Sequence, residues 1–156
     1  MEIIDILKNK KGFIAALDQS GGSSKKTLAN YGIGEELITS DEVMFDYIHE
    51  MRSRVIMNDA FDERILGVIL FKNTMERDID GVNTVKYLSN KGIPAFLKID
   101  VGLEDIDGGV QLLKDIPGLE DSLENAKKYG IIGTKMRSVI TVSYTHLRAH
   151  ETVLDL

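Results

Sequence analysis

Four short apolar runs, separated by stretches of helical periodicity, set the limits on what this chain can fold into. Gly12–Leu17 runs into Asp18, and Ile65–Phe71 carries the strongest strand pattern. Ala95–Ile99 opens after Pro94 and runs into Asp100, and Ile131–Met136 is the fourth run. Each is too short for a helix and apolar nearly throughout, the pattern of a strand covered on both faces. Between them lie helical stretches over Ser24–Asn30, closing at Tyr31-Gly32, and over Val82–Asn90, stopped by Lys91-Gly92. A third covers Leu119–Tyr129, stopped by Gly130. The longest starts near Thr39, where Thr-x-x-Glu with Glu42 reads as a capping box. Its apolar face is Met44, Tyr47, Ile48, Met51 and Val55. Strand–helix alternation of this kind means an α/β fold with a parallel sheet covered by helices.

Two architectures fit, an open doubly wound sheet and a (β/α)8 barrel. Eight barrel units need roughly 250 residues, about 31 per unit. The stretch to about Ile140 holds four such units with a lead-in, so as a barrel it is half of a TIM barrel. Length and composition agree with one folded domain: 156 residues, 43% apolar and 28% charged. A net charge of −6 speaks against a nucleic-acid surface. No apolar run reaches the length of a membrane span, and Met1–Lys8 lacks the order of a secretory signal. The absence of cysteine excludes a disulfide framework and makes the cytoplasm the expected compartment.

From Thr141 the rhythm stops, so the expected division is 1–140 as the half barrel and 141–156 as a non-native tail. Val142 through Thr152 resembles the translation of a transposase sequencing adaptor, and it is set aside as a scar would be. His146 and His150 stand four apart there, but no metal site is read from them. His49 reads as a boundary residue of the long helix, and Glu76-Arg77-Asp78 as solvated charge.

The chemistry concentrates where strands end. Asp18-Gln-Ser20-Gly-Gly-Ser23-Ser24 joins the first strand to a helix. Its glycines admit a ligand to the backbone, and its hydroxyls and helix-terminal N–H groups suit a phosphate. It is neither a P-loop nor a dinucleotide fingerprint. Lys98-Ile-Asp100 closes the third strand and Lys135-Met-Arg137 the fourth; residues two apart on a strand share a face. In a barrel these ends carry the active site. Three cations with two carboxylates suit a phosphorylated substrate together with proton transfer.

Four blocks now resemble, in order, the class I fructose-1,6-bisphosphate aldolases, most closely the shorter bacterial branch. They are Lys11–Ser23, Gly67–Thr74, Phe96–Gly102 and Gly133–Ser138. The resemblance implies a (β/α)8 lyase. It would cleave fructose 1,6-bisphosphate to dihydroxyacetone phosphate and glyceraldehyde 3-phosphate through a lysine Schiff base, with no cofactor and no metal. It implies that Asp18 handles the proton at the hydroxyl carbon where the bond breaks. Ser20, Ser23 and Lys98 would hold the phosphate on the aldehyde side. Lys135 and Arg137 would contact substrate and tune the protonation of the site, with Asp100 in support. Val101 stands where many relatives carry lysine. The family's acid/base glutamate and Schiff-base lysine belong to strands five and six, past Ile140. The chain is therefore expected to be an inactive N-terminal fragment that binds a sugar phosphate and self-associates through its open edges. The competing expectation is a four-unit, non-catalytic sugar-phosphate-binding or interaction domain.

Overall fold

The computed structural model describes residues 9–20 and 22–141, preceded by Asp5 and Leu7 as isolated positions. In chain order its elements are β1 (Phe13–Leu17), α1 (Gly22–Asn30), α2 (Asp41–Met57), β2 (Ile65–Leu70) and α3 (Lys72–Met75). Then follow β3 (Asp78–Ile79), β4 (Val82–Asn83), α4 (Thr84–Asn90), β5 (Ala95–Lys98), β6 (Val110–Gln111), α5 (Leu119–Tyr129), β7 (Gly133–Lys135) and β8 (Val139–Ile140). The four apolar runs form one parallel sheet in the order β1-β2-β5-β7. That order follows the chain without reversal. A doubly wound sheet needs a switch point where the order reverses, so the topology is that of a barrel wall.

The two faces of the sheet differ. Val68, Leu70, Ala95 and Leu97 point outward and pack with Ile56 of α2, Met75 of α3, Val85 and Leu88 of α4, and Ala126 of α5 in one core. A second cluster, Leu28, Met44 and Ile48, locks α1 onto α2. The alternate residues Gly67, Phe96 and Gly133 share the opposite, inner face, where the Phe96 ring lies over both glycines. Ile14 and Ala16 of β1 continue that face and are exposed. Among the described residues, β1 and β7 each pair with one neighbour only in this sheet.

Two local readings are corrected. Helix α2 begins at Asp41, and its cap is Ser40, whose Oγ accepts from the Val43 amide at 3.2 Å. The chain enters the helix one residue later than Thr39, so no Thr39–Glu42 box forms. The helix expected from Val82 begins at Thr84, capped by the Asn83 side chain, which accepts from the Val85 amide at 3.0 Å. The preceding residues pair as the hairpin β3–β4, turned by Asp80 and Gly81 at φ 51° and 75°. Asp-Gly with both residues at positive φ is the two-residue turn that matches strand twist. Among the described residues no helix is long and apolar enough to cross a membrane. The Val142–Leu156 tail, with His146 and His150, lies outside the described residues.

Candidate active site

Strand register builds the site. Leu17 pairs with Leu70, Leu70 with Leu97 and Leu97 with Thr134. One residue further along, Asp18, Phe71, Lys98 and Lys135 therefore form a single inward-facing row at the carboxyl ends of the strands. Lys98 and Lys135 are direct partners across β5 and β7. Like charges opposed in this way repel, and here each has its own carboxylate. The Lys135 ammonium donates to Asp18 Oδ2 at 2.8 Å. Lys98 Nζ lies 3.3 Å from Asp100 Oδ2 and donates to the Asp100 carbonyl at 2.8 Å. It also reaches Ser20 Oγ at 3.4 Å and stands 5.9 Å from the centre of the Phe71 ring.

A cavity of about 560 Å³ opens over this row, lined by Asp18, Ser20, Lys98, Asp100, Lys135 and Arg137 together with Gln19, Phe71, Val101 and Gly102. Six of the seven candidates thus meet in one space, although they come from three strand ends spread over more than 100 residues. The Ser23 side chain lies outside the described set. Asp18 and Asp100 are buried. Neither Asp100 carboxylate oxygen has a hydrogen-bond partner, and the Lys98 ammonium meets the carboxylate as an ion pair only. Arg137 is exposed at the rim. Three cations against two carboxylates leave the cavity positive overall, which favours a dianionic phosphate ester.

One participant escaped the sequence reading. Arg52 of α2 is fully buried beneath the site. Its Nη1 donates to Thr74 Oγ1 at 2.6 Å and its Nη2 to the Gln19 carbonyl at 2.6 Å. Burial pushes the guanidinium down to about 10, against the pull of Asp18, whose negative charge raises it. The signal was present, since Met44, Ile48, Arg52 and Ile56 recur every four residues on the buried stripe. An arginine inside such a stripe needs acceptors. His49 is a boundary residue in the structure, half-buried with Nε2 on the Asp78 carbonyl at 2.8 Å.

The strand order and the site at the carboxyl end of the sheet define part of a (β/α)8 barrel with a polar, phosphate-suited mouth. The family model described as "Glycolytic: Fructose-bisphosphate aldolase class-I" matches residues 2–154, and the chain belongs to that family. Its fold is similar to that of fructose-bisphosphate aldolase from Plasmodium falciparum, solved in complex with TRAP and a small-molecule inhibitor. The TM-score is 0.69 at 24% identity over 86% of this chain. The match takes in 38% of the Plasmodium chain, so this chain spans well under half the length of that relative.

Proposed function

We propose that this chain is the N-terminal part of a cytoplasmic class I fructose-1,6-bisphosphate aldolase of glycolysis. On this reading it supplies the phosphate-holding and proton-handling half of a Schiff-base lyase. Asp18 and Lys135 act on protons near the bond being broken. Ser20, Ser23, Lys98 and Arg137 hold the sugar phosphate, and Asp100 keeps Lys98 in place. By the same family resemblance the covalent lysine and the acid/base glutamate belong to strands five and six, and the described residues supply the binding and proton-handling part of the site. The observation that carries this reading is the inward row of Asp18, Lys98 and Lys135 beneath one cavity shared with Ser20, Asp100 and Arg137.

Titration of the isotope-labelled chain with fructose 1,6-bisphosphate tests the reading. Amide shifts are expected at Ser20, Lys98, Lys135 and Arg137. Incubation with dihydroxyacetone phosphate and borohydride should leave the intact mass unchanged. A reduced adduct on Lys98 or Lys135 would make one of them the imine-forming lysine and overturn their supporting roles. Absence of binding would remove the reading altogether. Among the described residues the outer edges of β1 and β7 have no strand partner in this sheet, and with Phe13, Ile14 and Met136 exposed beside them they support self-association of the chain. A monomer in size-exclusion chromatography with a sharp thermal transition would contradict that.

A further inference from the structure

Helix α2 is not part of the cavity wall, yet it reaches the segments after β1 and β2 that contribute Gln19 and Phe71 to that wall. Arg52 ties the carbonyl of Gln19, in the turn after β1, to the hydroxyl of Thr74, in the single helical turn α3 after β2. The Gln19 side-chain oxygen lies 3.5 Å from the same Nη2. Seven residues earlier on the same helix, Phe45 stacks on Phe71 with 5.5 Å between ring centres, and Phe71 lines the cavity beneath Lys98. Arg52 has no solvent exposure, and its Nε has no partner. A buried cation is costly unless its surroundings satisfy it. The protein accepts this burden at a position where the helical stripe otherwise carries Met44, Ile48 and Ile56.

We propose that Arg52 is a positioning residue for the sugar-phosphate site, a planar fork that fixes the Gln19–Ser20 turn against Thr74 and so holds Ser20 within reach of Lys98. The role depends on geometry more than on charge. Two divergent acceptors at 2.6 Å each match the rigid spread of a guanidinium, whereas a lysine ammonium is a single point that cannot serve both. The inference rests on the functional reading above for the identity of the ligand. The loop-fixing role can be measured without the ligand.

The test uses the 156-residue chain with Arg52→Lys, Arg52→Met and Thr74→Val, and Ile56→Val as a core control on the same helix. Dissociation constants for fructose 1,6-bisphosphate are read at a temperature where circular dichroism shows each variant folded. Backbone ¹⁵N relaxation is recorded at Gln19, Ser20, Lys72 and Thr74. Arg52→Met should weaken binding about tenfold, roughly 1.4 kcal/mol. Arg52→Lys and Thr74→Val should weaken it severalfold, with increased motion confined to the two turns. Ile56→Val should lower the melting temperature and leave both readouts unchanged. Folded Arg52→Lys and Thr74→Val chains with wild-type affinity and rigid turns would overturn the proposal, even if Arg52→Met fails to fold. Should the wild type bind no sugar phosphate, the functional reading fails, and selective loosening of the two turns still decides the role of Arg52.

Discussion

The inner face of the sheet offers a sharp test of the barrel geometry at Gly67, Gly133 and Phe96. A Cβ added at Gly67 would stand 2.7 Å from Phe96 Cε2 and 3.3 Å from Cδ2. One added at Gly133 would stand 3.0 and 3.1 Å from the opposite edge of the same ring. Carbon contacts are comfortable at about 3.5–4.0 Å, so Gly67→Ala must push the ring roughly 1 Å toward β7, and Gly133→Ala only about half as far toward β2. Neither glycine sits at positive φ, so alanine brings no backbone strain and gains about 0.4–1 kcal/mol by restricting the unfolded chain. Overpacking costs about 1–3 kcal/mol, and the half-buried ring places Gly67→Ala at the lower end. The net expectation is about 0.5 kcal/mol of destabilisation for Gly67→Ala and close to zero for Gly133→Ala. The double variant loses about 1 kcal/mol more than the sum, because each alanine blocks the other's escape route. Urea unfolding in wild-type and Phe96→Ala backgrounds measures the cycle. With the ring removed, both alanines become neutral or stabilising. Equal costs in the two backgrounds would show that Phe96 does not fill the space between these strands, and the inward row above it would lose its geometric basis.

Three further outcomes follow from local structure. Ser40→Ala removes the cap of α2 and should cost about 1 kcal/mol in chemical unfolding. Asp62 is held below its usual 3.8 by hydrogen bonds from the Arg64 side chain and amide. Its stabilisation is therefore complete above that value and is lost as pH falls through the lower folded-state value. Acid unfolding curves of the wild type should show a loss below about pH 4 that Asp62→Asn lacks; superimposable curves would refute the pairing. Deletion of Val142–Leu156, proposed as non-native, should leave the melting temperature unchanged, and a drop of several degrees would return that segment to the fold.

The four strands were legible because parallel strands buried against helices keep long apolar runs, and Ile65–Phe71 could hardly have been anything else. The choice between a barrel and a doubly wound sheet was not legible in the apolar pattern and came from the four family-like blocks. It depends on strand order, a non-local property on which the apolar pattern is silent. The hairpin at Asp78–Asn83 was missed because two-residue strands carry no periodicity, although Asp80-Gly81 is a strong turn signal. Asp18, Lys98 and Lys135 could be proposed from strand ends alone, since the two-residue period fixes which face they share. Their pairing could not, because Lys135 finds Asp18 across two intervening strands. Arg52 went unremarked because the apolar face was drawn through Tyr47, Met51 and Val55, whereas the buried stripe runs Met44, Ile48, Arg52 and Ile56.

Competitive acetylation of the lysines, read by mass spectrometry with and without saturating fructose 1,6-bisphosphate, bears most directly on the site. Lys98 and Lys135 should be protected severalfold by the ligand, while Lys114 and Lys128, which lie outside the cavity, label at unchanged rates. Equal labelling of all four in both conditions would contradict the assignment of this cavity as the sugar-phosphate site.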